Sequence, residues 1–354
     1  MIRQDLFVSC ITGLLLAGLL ASCQSISWLS VDYMQPADIS FPETLKRVAV
    51  VNNMPVLADD QLLIEKKEEQ PATPDVVSSL YISYWGDAPR TAEALAESLA
   101  QANYFDEVLI CDSALRLTDS LPTSRRLTRE EVNSLTDQLH ADFLISLESI
   151  RIQTRRQVRL LPEWGLFSGT VDAKVYPVVR IYLPNRQGAL STLQESDSIY
   201  WEEEGRNERE AAGRLLGEEE VRRQASQFAG TLPINRLLPH WKSATRPLFG
   251  GGSVRMRDAL VYAREQQWEE AIALWKKEFD EGKRNLRKAA AHNLAVGHEM
   301  LDRIEEAAQW ALQAAKLYEG DKAYGTMTTL YAIELETRRE GLQKLKMQTQ
   351  RLQE

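Results

Sequence analysis

The segment that decides the fold is Thr170–Leu183, TVDAKVYPVVRIYL, in which apolar and polar residues alternate. Successive side chains of a β-strand point to opposite faces of the sheet. One face of this segment is apolar and consists of Val171, Ala173, Val175, Pro177, Val179, Ile181 and Leu183. The other face carries Asp172, Lys174, Tyr176, Arg180 and Tyr182. This period of two predicts a half-buried strand of an antiparallel sheet.

The sequence on both sides of this strand predicts one domain over residues 45–249. Apolar, β-branched runs predict three earlier strands, at Lys46–Asn52, Glu107–Cys111 and Asp142–Ile152. A turn follows the central strand, and a returning strand is expected near Leu190–Trp201. Helical periodicity predicts helices at Thr91–Asn103, Glu208–Phe228 and Leu237–Phe249. Thr128 and Glu131 form a capping box that begins another helix. The polar segment Asp59–Pro74 is expected to be a loop. This order predicts an α/β domain on a mixed sheet, and hence an α+β protein overall.

Residues 254–354 are predicted to be all helical. Two similar segments occur there, Trp268–Trp275 (WEEAIALW) and Ile304–Ala311 (IEEAAQWA), and their alanines Ala271 and Ala307 are 36 residues apart. This spacing resembles that of tetratricopeptide repeats, whose period is about 34 residues. The resemblance implies stacked helical pairs with a terminal helix over Ala323–Glu354 that covers the open end.

Tetratricopeptide repeats bind extended peptides or helices on the concave face of their first helices, so the resemblance implies a partner-binding groove. Carried over by position, the groove comprises Met256, Leu260, Arg264, His292, Val296, Glu299 and Met300. The chain departs from the repeat pattern at Arg255 and Asp258 and has no closing proline. An alternative interpretation is that these helices only pack against each other and bind no partner. Both interpretations stay open.

Gly250–Ser253 (GGGS) separates the two predicted domains. A glycine loop that opens a helix can cradle a phosphate group. This one lacks the Lys-Ser/Thr of a P-loop and the spacing of a dinucleotide fingerprint. We therefore interpret residues 250–253 as a hinge and predict no cofactor.

The N-terminus has the pattern of a bacterial lipoprotein precursor. The fifteen-residue apolar run Leu6–Leu20 is shorter than the about 20 residues that cross a bilayer, and small residues follow it. Leu20–Cys23 (LASC) resembles the lipobox, in which the chain is cut before a cysteine that then carries acyl chains such as palmitate. The resemblance implies a signal peptide over residues 1–22 and a membrane anchor at Cys23.

The residues after the lipobox suggest where the protein is anchored and how. Gln24 rather than aspartate follows Cys23, which implies the outer membrane. No cluster of acidic residues follows Cys23, which favours the periplasmic side over the cell surface. Residues 23–44 contain two prolines and show no periodicity, and they are predicted to form a tether.

Composition excludes several classes of function. A formal net charge of −9 argues against binding to nucleic acid, which requires basic patches. Cys111 has no partner for an intrachain disulfide, because Cys10 lies in the signal peptide and Cys23 carries lipid. The four histidines, His140, His240, His292 and His298, lack the spacing of a zinc site, so no metal is predicted.

Catalytic patterns are also lacking in the sequence. It contains no Gly-x-Ser-x-Gly elbow, and its paired glutamates lie in solvated charge runs, so no catalytic residue is predicted. One basic cluster is formed by Arg151, Arg155, Arg156 and Arg159. It either meets anionic headgroups or is an exposed strand end.

Over its full length the chain resembles a family of uncharacterised outer-membrane lipoproteins of gut anaerobes, in which a domain of unknown function precedes tetratricopeptide-like helices. Residues 45–248 also resemble periplasmic domains of curli-secretion lipoproteins and the N-terminal part of TolB-like proteins. These resemblances imply a lipid-anchored, non-enzymatic scaffold that binds another envelope protein through the helical repeats. The alternatives are a structural oligomer formed through the α/β domain and an enzyme of unknown type. The oligomeric state stays open.

Overall fold

The structure is a computed structural model that describes residues 26–70, 73–111, 115–116 and 125–350. The described residues form two compact units. The α/β unit holds residues 37–239 and 348–350, and the helical unit holds residues 26–36 and 240–347. A sheet region thus precedes a set of C-terminal helices, which confirms the predicted α+β fold class. The predicted signal peptide and Cys23 lie outside the described residues.

The first strand, β1 (Ile26–Gln35), belongs to the helical unit, and the next eight strands form one sheet in the α/β unit. These eight are β2 (Arg47–Asn52), β3 (Leu63–Glu68), β4 (Val76–Trp85), β5 (Glu107–Cys111), β6 (Phe143–Leu161), β7 (Leu166–Tyr182), β8 (Ser191–Gln194) and β9 (Asp197–Gly205). Their order is β3-β4-β6-β2-β5, and β7 pairs with β6, β8 and β9. β2 runs parallel to β5 and β6, whereas β6 is antiparallel to β4 and β7, so the sheet is mixed as predicted.

Helices cover both faces of this sheet. The α/β unit contains α1 (Asp59–Leu62), α2 (Ala88–Gln101), α3 (Arg129–Leu139), α4 (Glu208–Arg214), α5 (Glu218–Thr231) and α6 (Ile234–Leu237). Val48 and Val50 of β2 belong to the same core cluster as the apolar face of α2. Ala49 and Val51 belong to a second cluster with Val132 of α3. β2 is therefore buried on both sides, which explains its continuous apolar sequence.

The alternation predicted for Thr170–Leu183 is present in β7 but does not extend to its last residues. Val171, Ala173 and Val175 are fully buried, and the residues between them are more exposed. Arg180 and Tyr182, predicted to face solvent, are buried instead. The second core cluster covers this end of the strand, and Tyr182 is one of its members.

The helical unit contains five helices within the described residues and a two-stranded sheet. The helices are α7 (Val254–Arg264), α8 (Trp268–Glu281), α9 (Arg284–Met300), α10 (Ile304–Leu317) and α11 (Gly325–Gln350). Ala271 and Ala307 are fully buried, and the bulky residues three positions before them, Trp268 and Ile304, are buried as well. The alanine spacing therefore identifies helix contacts, as the repeat pattern predicts.

The two-stranded sheet corrects two sequence predictions. β1 pairs antiparallel with β10 (His240–Phe249) along all ten residues. Residues 26–35 are therefore a strand where a tether was predicted over 23–44. The predicted helix Leu237–Phe249 is wrong, because β10 occupies most of it. Pro247 gives a physical reason, since proline disfavours helical geometry at the residue before it.

Part of the segment predicted as a loop over residues 59–74 is regular secondary structure. It contains α1 and β3, and β3 is an edge strand whose residues are all exposed. The polar sequence LIEKKE suits an edge strand, which has no second neighbour to bury it. The predicted hinge at 250–253 leads directly into α7. Gly252 has a φ of +96°, and the Ser253 hydroxyl accepts a hydrogen bond from the Met256 amide at 3.1 Å.

Candidate functional site

The predicted groove is mostly core. Of its seven residues, five are buried, namely Met256, Leu260, His292, Val296 and Glu299. Met300 is partly exposed, and Arg264 alone is exposed. A partner cannot contact the five buried residues, so the prediction that they form a binding surface is wrong.

The chain itself fills this face of α9, using the strand β10. Asn293 forms two hydrogen bonds with the backbone of β10. Its Nδ2 donates to the Phe249 carbonyl at 2.8 Å, and its Oδ1 accepts from the Phe249 amide at 2.9 Å. His292 Nε2 donates to the Pro247 carbonyl at 3.0 Å. An extended peptide thus lies against α9, where tetratricopeptide repeats bind a partner, but it belongs to the same chain.

Glu299 is the centre of a buried charge network next to this strand. Arg246 Nε and Nη2 donate to its two carboxylate oxygens at 3.0 and 3.1 Å. Tyr331 donates its hydroxyl to Glu299 at 2.6 Å, and Arg338 forms a second ion pair with it. Arg246 also binds Glu334 at 2.7 Å. Two arginines and two glutamates therefore balance each other.

Neighbouring groups shift the pKa values of Arg246 and Tyr33. Burial lowers the pKa of Arg246, but its bonds to Glu299 and Glu334 raise the pKa by more, so the net pKa lies above the usual value. Tyr33 donates to Glu334 at 2.8 Å, and burial together with this bond raises the pKa of Tyr33 to about 12. Each charge in the network has an oppositely charged partner, which indicates a structural role.

An accessible apolar cleft lies elsewhere in the helical unit, between α10 and α11. Its volume is about 630 Å³. Its floor includes Ala308 and Ala332, and Leu312 and Ile333 stand on its two sides. Leu312, Ile333 and the adjacent Leu330 are each more than half exposed. Large exposed apolar side chains grouped in this way mark interaction sites more often than scattered ones do.

This cleft was missed in the sequence, although a signal for it exists. The buried stripe of α10 consists of Ile304, Ala307, Ala308, Ala311 and Ala314. Leu312 lies outside that stripe, as Leu330 and Ile333 lie outside the buried face of α11. Large apolar residues outside the core face of a helix indicate a second apolar surface that a further helix or a partner can cover. That pattern is visible in the sequence.

Two of the four arginines of the basic cluster on β6 form ion pairs within the α/β unit. Arg155 binds Glu69 at 2.8 Å and Arg159 binds Asp75 at 2.9 Å. Arg156 donates to the Leu216 carbonyl, and the guanidinium of Arg151 lies over the ring of Tyr176, 5.0 Å from its centre. Carboxylates therefore balance two of the four guanidinium charges, so the cluster offers an anionic headgroup a smaller net charge than its sequence indicates.

The histidines and Cys111 do not form a cluster of metal ligands in the part of the chain that the structure describes. No group of three or more His, Cys, Asp or Glu side chains there could hold a metal ion. His292 is buried in the helical core, and His140 is the C-cap of α3. Cys111 is partly exposed at the end of β5. The proposed lipid-bearing Cys23 lies outside the described residues.

Comparison with known proteins gives a family without an assigned activity. Residues 45–249 match the family described as Domain of unknown function (DUF8603), and residues 257–337 match that described as Domain of unknown function (DUF6340). The first match covers more than half of the chain, so the chain belongs to the DUF8603 family. No curated protein and no solved structure matches it. Among the helices in the described residues, none has an apolar stretch long enough to cross a bilayer.

Proposed function

We propose that this chain is a lipid-anchored protein of the bacterial outer membrane that binds another protein through its helical unit and has no catalytic role. The sequence Leu20–Cys23 supports the anchor, and Gln24 supports the outer membrane. The single observation that carries the binding role is the apolar cleft between α10 and α11. It replaces the groove predicted from the repeat pattern, because that groove is filled by β10.

The partner that this cleft fits is an amphipathic helix. The cleft runs between two helices, and Leu312 and Ile333 can contact apolar residues at a spacing of three or four on a third helix. Glu305 and Glu336 also line the cleft. Glu336 pairs with Arg339, whereas Glu305 makes no salt bridge with a described residue. A lysine or arginine beside the apolar face of the partner helix would complement Glu305.

Photo-crosslinking in intact cells tests the binding role. A photo-reactive amino acid in place of Leu330 should crosslink to a segment that is amphipathic and carries basic residues. The same amino acid in place of Val261 is the control, because Val261 is also well exposed in the helical unit but lies on α7. Leu312→Glu and Ile333→Glu should each reduce crosslinking at position 330 by about tenfold.

Two results would overturn the binding role. One is crosslinking at position 330 that does not exceed that at position 261. The other is a crosslink whose mapped segment belongs to a second copy of this chain, which would indicate an oligomer formed through the helical unit rather than the predicted alternative through the α/β domain. At the β3 edge, exposed Lys66 and Lys67 weigh against that alternative in the α/β unit, because lysines on an edge strand discourage pairing with another sheet.

The anchor is tested separately. Cys23→Ala should prevent acylation, and the protein should move from the membrane fraction to the soluble periplasmic fraction. Mass analysis of the N-terminal peptide of the native protein should show acyl chains on Cys23. A peptide that carries none would overturn the anchor and leave the cleft experiment unaffected.

A further inference from the structure

We propose that one face of the β1–β10 ribbon lies on the lipid headgroup region, with Trp28 and Trp241 as interfacial anchors. This inference rests on the proposed lipid anchor at Cys23. Trp28 is 65% exposed and Trp241 is 69% exposed. Tryptophan combines an apolar ring with a polar N–H group and is enriched at membrane interfaces for that reason.

The length of chain between the anchor and the ribbon places the ribbon near the membrane. Only Gln24 and Ser25 separate Cys23 from Ile26, the first residue of β1. A residue spans at most about 3.6 Å, so Ile26 lies within about 11 Å of an acylated Cys23. The headgroup region on each side of a bilayer is about 5–8 Å thick. The start of β1 therefore lies at the membrane surface rather than at the end of a long tether.

The strand register puts both tryptophans on the same face. Trp28 and Met34 are six residues apart on β1, so they point to the same side of the ribbon. Met34 pairs with Trp241 across the ladder, and paired residues share a face. The opposite face carries Val31 and Tyr33, which are buried in the helical unit. Between Trp28 and Met34, the face with the tryptophans is exposed or partly exposed apart from Pro247, which pairs with Trp28 and is buried, so it is the face that can meet lipid.

The residues between the tryptophans suit a polar interface. Two pairs lie there, Ser30–Thr245 and Asp32–Ser243, and all four side chains are exposed. Asp32 is the one charged residue among them, and it accepts a hydrogen bond from the Ser243 hydroxyl. A face with aromatic ends and a hydroxyl-rich middle can hydrogen-bond to headgroups without placing a row of charges next to the hydrocarbon.

Quenching by brominated lipid tests this arrangement. The lipidated full-length protein is reconstituted into vesicles of phosphatidylethanolamine and phosphatidylglycerol that contain phospholipid brominated near the headgroup. Trp28→Phe and Trp241→Phe should each weaken the quenching of tryptophan fluorescence, and the double variant should weaken it at least about twofold. Trp164→Phe is the matched control, because Trp164 is 68% exposed but lies at the β6–β7 turn of the α/β unit.

The outcomes separate this inference from the proposed anchor. Acylation of Cys23 is first established by mass analysis, and circular dichroism checks that the four variants remain folded. Loss of quenching in both ribbon variants, with retention in Trp164→Phe, supports the inference. Equal quenching in all variants, or loss confined to Trp28→Phe, overturns it while the anchor stands. A Cys23 without acyl chains overturns both.

Discussion

Arg246 and Glu299 form a buried, bidentate ion pair, in which guanidinium Nε and Nη2 donate to the two carboxylate oxygens at 3.0 and 3.1 Å. Arg246 lies on β10 and Glu299 on α9, so the pair fastens the strand to the helix. A complete buried pair contributes little net stability compared with apolar residues of the same volume. Removal of one partner, in contrast, leaves the other charge buried and unpaired.

Glu299→Gln should therefore destabilise the protein strongly. The substitution keeps the shape of the side chain but leaves Arg246 and Arg338 without its negative charge. We expect a loss of about 3–5 kcal/mol in the free energy of unfolding, measured by urea denaturation of the full chain without its signal peptide. Because Glu299 is buried in this network, a substitution there would test stability and not partner binding.

The control for that measurement is Glu269→Gln. Glu269 pairs with Arg303 on the surface of the helical unit, where solvent screens the attraction. Its replacement should shift the urea midpoint far less than Glu299→Gln does. Equal shifts for the two variants would contradict the buried-network interpretation.

His292 should make the protein less stable as the pH falls below neutrality. Burial lowers the pKa of His292 to about 4, although its bond to the Pro247 carbonyl partly opposes the shift. The unfolded chain, with a histidine pKa of about 6.5, binds a proton in this range before the folded state does. Stability is therefore complete above about pH 6.5 and decreases as the pH falls toward 4, by about 3 kcal/mol in total.

Urea midpoints at about pH 6.5 and about pH 5 measure this effect above the range in which most carboxylates titrate. His292→Gln retains an N–H donor for the Pro247 carbonyl and should flatten the dependence on pH. A residual slope is expected from His298, whose pKa burial also lowers. An unchanged slope in His292→Gln would mean that His292 does not cause the decrease.

Local patterns predict the elements that neighbouring residues determine. The alternation in β7, the apolar run in β2 and the capping box of α3 are all present in the structure. Each depends on residues that are close together in the sequence. The alanine spacing in α8 and α10 was equally informative, because it reports which residues face a helix contact.

The β1–β10 ribbon could not be read in this way, because its two strands are more than two hundred residues apart in the chain. Alternation is present in β1, where Val31 and Tyr33 are buried, but it does not name a partner strand. The prediction of the binding groove was wrong for the same reason. The repeat pattern indicates which face of α9 is concave, and it does not indicate that Phe249 and Pro247 already occupy that face.

The capping box of α3 allows a direct measurement of a feature predicted from sequence. The Thr128 hydroxyl accepts from the Glu131 amide at 3.2 Å, and Glu131 accepts from the Thr128 amide at 2.8 Å. Thr128→Ala should cost about 1 kcal/mol and speed hydrogen exchange in the first turn of α3. Thr128→Ser keeps the hydroxyl and should change exchange little. Equal exchange in the two variants would show that the cap does not hold the helix end.

Gly230 should be intolerant of any side chain because α5 crosses α2 at that residue. A Cβ atom there would lie 2.4 Å from the Thr91 carbonyl oxygen and 2.8 Å from the Ala94 side chain. The backbone oxygen cannot move aside without shifting α2, so Gly230→Ala should cost about 1–3 kcal/mol despite the better helix propensity of alanine.

Gly213 in α4 is the matched control, because a Cβ there meets nothing within 4 Å. Gly213→Ala should instead stabilise the protein by about 0.4–1 kcal/mol, since alanine lowers the entropy of the unfolded chain. Thermal unfolding of both variants measures the two effects, and shifts of the same sign would contradict close packing of α5 on α2.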